Sequence, residues 1–278
     1  MPIVKSFLKR LKLAAPWLIP IYNKIYWETI NRYLKLLESR YYELMGYALL
    51  QKKFALVDRS VADELSKIIE DTNLKIIGRY PGSKFDKLAY LSALYTTQDL
   101  ISLQPNHSRP PAHLEIGTLF GGSLVTALRV IRKNKGGQPV IVIDPLDSYY
   151  GAEIDSASGL KVSHSVVLQN LEIFCLPVEQ VIFKLSFSTI AKTIEEVRQY
   201  SLLTLFIDGD HTYDGVKADW DNYNDLVIPS GFVIFDNYSS PAWPGVKRFV
   251  DELISSLPKD KWIIVGKIAE TFILQRLE

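Results

Sequence analysis

The segment Leu205–Trp220, LFIDGDHTYDGVKADW, opens as an apolar run and closes as an amphipathic one, with Asp208, Asp210 and His211 crowded at the join. The run that ends at Asp208 is apolar on both faces, as a strand inside a parallel sheet must be when helices cover it on both sides. Residues 214–227 then carry the spacing of a crossover helix. The same alternation repeats on either side. HLEIG (113–117), VIVID (140–144), QVIFKL (180–185) and GFVIFD (231–236) are strand-length apolar runs, separated by helical stretches at 123–134, 163–174 and 188–200. The tail KWIIVGKIAETFILQRL (261–277) holds two strands too close together for a helical crossover, so they should pair as an antiparallel hairpin. The pattern predicts a doubly wound α/β fold: a mostly parallel, seven-stranded sheet with five parallel strands and a terminal hairpin. Such sheets bind ligands beyond the carboxyl ends of their strands.

Upstream, residues 27–51 keep apolar residues at three- and four-residue spacing, and residues 58–72 place Ser60 where a helix N-cap belongs. A turn at RYPGSK (79–84) should lead into a helix over Phe85–Leu103, and QPNHSRPPA (104–112) reads as a connection. The expected organisation is a helical extension at 1–80, serving as lid or oligomerisation surface, and a ligand-binding domain at 81–278. The first 27 residues carry Lys5, Lys9, Arg10 and Lys12 without an acid, and Pro16 and Pro20 interrupt the apolar run that follows. That pattern fits neither a signal peptide nor a membrane span. It leaves two readings open, a helix packed on the protein or a second subunit, and weak contact with a membrane surface.

Across 278 residues the net charge is +1, with 47% hydrophobic and 23% charged residues, which is ordinary for a soluble globular chain and gives no basic excess for binding nucleic acid. The single cysteine, Cys175, excludes an internal disulfide or a cysteine-rich zinc site and points to a reducing, cytoplasmic setting.

The strand ends carry the chemistry. After the first strand comes EIGTLFGGS, in which Gly117, Gly121 and Gly122 permit a tight turn and a close ligand approach, with a helix N-terminus behind. The loop is G-x-x-x-G-G and lacks the second glycine of the dinucleotide fingerprint. Asp144 ends the second strand, where an acid accepts hydrogen bonds from ribose hydroxyls. Asp208 ends the fourth strand, and Asp236 with Asn237 ends the fifth. Two carboxylates and an amide oxygen are hard ligands suited to Mg²⁺. Facing acids without a cation would raise each other's pKa.

On these motifs the chain resembles the class I S-adenosylmethionine-dependent methyltransferases, and among them the metal-dependent O-methyltransferases. HLEIGTLFGGS is similar to their cofactor loop, the hairpin to their last two strands, and Asp208, Asp236 and Asn237 to the metal triad of catechol-type enzymes. The longer stretch 206–238 is closer still to bacterial enzymes of the macrocin and cephamycin-biosynthesis type. The resemblance spans roughly residues 100–277. It implies a Rossmann-like methyltransferase fold. For the cofactor it implies Glu115, Gly117, Thr118, Gly121, Gly122, Ser123 and Asp144, joined by Ser186 and Asp208. It also implies Mg²⁺ or another divalent cation, and a small-molecule acceptor hydroxyl on a sugar, glycoside, phenol or natural product. Catechol-type enzymes carry a lysine base where this chain has His211, whereas the sugar-modifying relatives use an aspartate at the position of Asp210; either residue can serve as proton acceptor. Tyr149, Tyr150, Tyr238 and Trp243 are candidate acceptor walls, and a homo-oligomer is expected. The competing readings are a metal-independent methyltransferase, a nicotinamide-dependent oxidoreductase, and a non-catalytic scaffold working through its basic N-terminus.

Overall fold

A computed structural model describes residues 56–100, 109–147 and 151–277. The basic N-terminal segment, the helix expected at 27–51, and Tyr149 and Tyr150 lie outside the described residues. Seven strands form one sheet: β1 (Pro111–Ile116), β2 (Val140–Ile143), β3 (Val181–Lys184), β4 (Ser201–Ile207), β5 (Val227–Phe235), β6 (Trp262–Ile268) and β7 (Thr271–Arg276). Their order is β3-β2-β1-β4-β5-β7-β6. The first five are parallel, while β7 runs antiparallel between β5 and β6, as the short tail connection requires. The order reverses between β1 and β4, the point at which a doubly wound sheet leaves a crevice.

Seven α-helices are described: α1 (Arg59–Lys75), α2 (Lys84–Thr96), α3 (Gly122–Lys133), α4 (His164–Ile173), α5 (Ala191–Val197), α6 (Tyr213–Tyr223) and α7 (Pro244–Ser256). Three boundaries differ from expectation. The cap of α1 is Asp58, whose carboxylate accepts the Val61 N–H at 2.9 Å, so Ser60 lies inside the helix. The helix expected to reach Leu103 ends at Thr96 and tightens into a 3-10 turn over Thr97–Asp99. The proline-rich connection gives up Pro111 and Ala112 to β1, where Pro111 can open a strand because its missing N–H costs nothing at the first position. Helix α1, expected within the N-terminal extension, belongs to the compact unit of residues 48–278.

Helix α2 buries every residue from Phe85 to Leu94. It packs between α1, α3 and the face of the sheet, touching β4 through β7, and Tyr90 stacks on Phe206 of β4 with ring centroids 4.2 Å apart. A helix enclosed on all sides loses the usual amphipathic stripe. Its polar first turn is held by a capping box between Ser83 and Asp86. On the opposite face Trp220, Tyr223, Phe235, Phe249 and Trp262 build the core beneath α6 and α7. Among the described residues no helix is long and apolar enough to cross a membrane.

Gly117 joins the fold to the site. Its φ is +85°, and a Cβ there would lie 2.2 Å from the carbonyl oxygen of Asp208. Gly117→Ala combines a left-handed backbone with a backbone collision, so it should cost about 3 kcal/mol or more of stability. Urea unfolding followed by circular dichroism checks this; an unchanged midpoint would contradict the packing of β1 on β4.

Candidate active site

Four strand ends meet at one level. Ile143, Ile116, Ile207 and Phe235 are successive register partners across β2, β1, β4 and β5. The residues that follow them are Asp144, Gly117, Asp208 and Asp236, and the N–H of each donates to a neighbouring strand. Asp144 reaches Lys184 O at 3.2 Å and Gly117 reaches Ile143 O at 2.9 Å. Asp208 reaches Ile116 O at 2.9 Å and Asp236 reaches Ile207 O at 3.1 Å. Beyond this rim lies a cavity of about 780 Å³. Of the cofactor, metal and catalytic residues expected from the sequence, all but Glu115 and Gly121 line it; of the expected acceptor wall, Trp243 lines it and Tyr238 does not.

The glycine loop is shaped by the protein itself. A Cβ on Gly121 would meet Val167 at 3.0 Å, and one on Gly122 would stand 2.5 Å from the Tyr80 ring. Close approach of a ligand is therefore not what demands glycine at these positions. Asp144 holds the loop as well: Oδ2 accepts the N–H groups of Thr118 and Leu119 at 2.8 and 3.2 Å, and Oδ1 accepts Leu146 N–H at 2.8 Å. Oδ1 keeps a lone pair for a hydroxyl. Beneath the loop Ser123 donates to Glu115 Oε1 at 2.6 Å. Thr118 lies beside Glu115 without a well-formed bond, so Glu115 Oε2 and Thr118 Oγ1 are buried without a partner. Burial pushes the Glu115 carboxyl up to about 8. Orphaned buried polar atoms are rare in finished structures, and a polar or cationic ligand group above them would satisfy both. Ser186, whose hydroxyl donates to Phe187 O at 3.3 Å, stands on the same cavity wall.

The acids of the opening segment gather on the other side. His211 Nε2 lies 3.1 Å from Asp208 Oδ1, and the imidazole also hydrogen-bonds Asn237 and stacks on Trp243 with ring centroids 4.8 Å apart. Asn237 takes φ +57°, a left-handed conformation that asparagine tolerates better than most residues. Asp210 is exposed at the rim; its Oδ1 accepts Thr212 N–H at 2.9 Å, while Thr212 itself caps α6. The carboxyls of Asp208 and Asp236 are close enough that the charge of Asp208 raises the pKa of Asp236. Among the described residues no three of His, Cys, Asp or Glu converge as a metal-ligand group; the strand-end set is two aspartates and an amide.

Sequence reading missed the partners that α2 and β7 supply. Thr271 Oγ1 lies 3.0 Å from Asp236 Oδ1 and 3.1 Å from Asp86 Oδ1. Lys87 lines the cavity, donates to Tyr80 O at 2.6 Å and to Asn73 Oδ1 at 2.9 Å, and is held by burial at a pKa of about 8. Arg79 forks onto Asp155 with three bonds of 2.8–3.0 Å, which ties the insertion after β2 to the turn before α2. The capping box of Ser83 and Asp86 follows a local spacing, but nothing in that spacing points to the site.

Burial raises Asp208 to about 7, and burial with the charges of Asp208 and Asp86 holds Asp236 well above the carboxylate range. Both folded-state values exceed those of the unfolded chain, near about 4. Between about pH 4 and 7 the folded chain therefore binds more protons than the unfolded one, and stability falls as pH rises through that window. His211, lowered by burial, contributes in the opposite direction. In a chelating buffer the urea midpoint should drop from pH 5 to pH 8, and Asp208→Asn should make that drop smaller. An equal drop in the variant would contradict a raised Asp208 carboxyl as its source.

Comparison with known proteins agrees with this geometry. Residues 114–238 match a family model described as a methyltransferase domain. The uncharacterised protein R132 of Acanthamoeba polyphaga mimivirus is 27% identical over 206 residues, covering 73% of this chain and 80% of its own. Among solved structures, the O-methyltransferase NovP superposes with a TM-score of 0.58 at 20% identity, over 80% of this chain and all of its own. The MycE methyltransferase of the mycinamycin biosynthetic pathway, solved with Mg and SAH, superposes with a TM-score of 0.50 at 13% identity, over 77% of this chain and 55% of its own. The chain is thus similar to S-adenosylmethionine-dependent methyltransferases: residues 114–238 match a methyltransferase domain, and the sheet shares the fold of solved O-methyltransferases.

Proposed function

We propose that the enzyme methylates a hydroxyl oxygen of a small molecule, a sugar, glycoside or phenolic natural product, with a divalent cation at the ends of β4 and β5. The observation that carries this reading is the shared rim of Asp208, Asp236 and Asn237 beside the unpartnered Glu115 and Thr118 atoms. Facing carboxylates raise each other's pKa and disfavour the ionised pair, and a cation between them would offset that repulsion. The donor set of hard oxygens fits Mg²⁺ with waters or substrate oxygens completing the shell. The Mg and SAH bound to MycE are in keeping with it.

When bound, S-adenosylmethionine supplies a methyl group already activated by its sulfonium charge, and a divalent cation anchors and acidifies the acceptor hydroxyl. The chain's own residues do the rest. Asp144 would offer an oxygen lone pair to the cofactor ribose, and Glu115 with Thr118 would receive the ammonium of the amino-acid end. Asp208, Asp236 and Asn237 would hold the cation. Asp210 is the favoured proton acceptor: it is exposed to the cavity and uses one oxygen on Thr212 N–H. His211 is occupied by Asp208, Asn237 and Trp243, which suits it to bracing the site. Most of the rate gain is positioning.

Labelled S-adenosylmethionine, with a panel of sugar and catechol acceptors, tests the reading. EDTA should abolish transfer and Mg²⁺ restore it, Asp208→Asn should abolish it while cofactor binding persists, and Asp210→Asn should lower kcat by about 10²-fold or more. Full transfer in EDTA would leave the metal-independent reading standing.

A further inference from the structure

We propose that Thr271, on the terminal hairpin, is the positioning residue for Asp236, an inference that rests on the metal reading above. The register of β5 and β7 places it there. Phe235 pairs with Phe272 across the antiparallel ladder, so Asp236 and Thr271 are the next opposed pair and their side chains share a face. Thr271 is fully buried, and its hydroxyl lies 3.0 Å from Asp236 Oδ1.

A threonine hydroxyl has one proton to give, and two carboxylate oxygens lie within its reach. Asp86 is the one that does not need it. Asp86 Oδ1 accepts the Glu270 N–H at 2.7 Å, and Oδ2 accepts Ser83 N–H and Ser83 Oγ–H at 3.0 and 2.6 Å. With Asp236 ionised, the Thr271 proton goes to Asp236 Oδ1 and fixes the plane of that carboxylate. Asp86 meanwhile braces the hairpin turn through Glu270, which keeps Thr271 in place. Asp86 precedes residues 114–238 and Thr271 follows them, so the orientation of a proposed metal ligand is set from both sides of the matched domain. Hydrogen-bond partners behind metal ligands of this kind typically change metal affinity by about 10–100-fold when removed.

The test uses the full chain with Mn²⁺ alone as probe, its binding followed by electron paramagnetic resonance, beside calorimetric titration of S-adenosylhomocysteine. Thr271→Val keeps the shape and removes the donor; Thr271→Ser keeps the donor. The expected result is Mn²⁺ binding weaker by about tenfold or more in Thr271→Val, close to wild type in Thr271→Ser, and S-adenosylhomocysteine binding alike in all three. Wild-type Mn²⁺ affinity in Thr271→Val overturns the proposal. So does equal weakening in both variants, or a parallel loss of S-adenosylhomocysteine binding, because either would mean that the residue only supports the fold. A wild-type protein that binds S-adenosylhomocysteine but no Mn²⁺ would remove the metal reading and this inference with it.

Discussion

The whole site hangs on a row of backbone hydrogen bonds where β2, β1, β4 and β5 end together. Asp144, Gly117, Asp208 and Asp236 each donate an N–H to the neighbouring strand just past the last paired residue. Their side chains, or in Gly117 the lack of one, are therefore delivered to the same rim. A single slip of register would turn each of these residues to the other face of the sheet. The close contact of Gly117 with the backbone of Asp208 enforces the alignment at the switch point, where the strand order reverses and the crevice opens.

That alignment creates an electrostatic problem that the surrounding elements manage. The charge of Asp208 bears on Asp236, and Asp86 adds its own from α2. Each acid is given donors: His211 beside Asp208, Thr271 beside Asp236, and Ser83 with Glu270 N–H on Asp86. Partial satisfaction of this kind keeps the acids in place without neutralising them, and a fold retains such a cluster at a cost in stability when the cluster does chemistry. The apparatus is spread along the chain, from α2 before residues 114–238 to the hairpin after them.

The cofactor side follows a different logic. Glycines that read as openings for a ligand are filled by Asp208, Val167 and Tyr80, and the acid at the end of β2 spends most of its capacity on loop N–H groups. What remains open is small and specific: one oxygen of Glu115, the hydroxyl of Thr118 and a lone pair on Asp144. The loop's conformation is thus fixed by the protein's own contacts, which lowers the ordering cost of binding.

Strand-length apolar runs, their helical spacers and the short tail connection were enough to read the sheet, its direction changes and its terminal hairpin. The reason is that burial on both faces and connection length are local properties of the chain. Acids and glycines at the strand ends were legible for the same reason, since each follows directly on a run that announces itself. Helix ends were less so: Asp58 and Ser60 are both good caps, and only the backbone conformation chooses between them. The roles of Thr271, Asp86, Lys87 and Tyr80 could not be read at all. Thr271 lies 35 residues from Asp236 and 185 from Asp86, distances along the chain at which no local pattern carries information. Their meeting depends on an antiparallel register and on a buried helix crossing the sheet. The sequence alone thus determined the architecture and the residues offered at the rim. The tertiary structure decided which of those residues are committed to holding the loop, which are left open, and which distant side chains steady them.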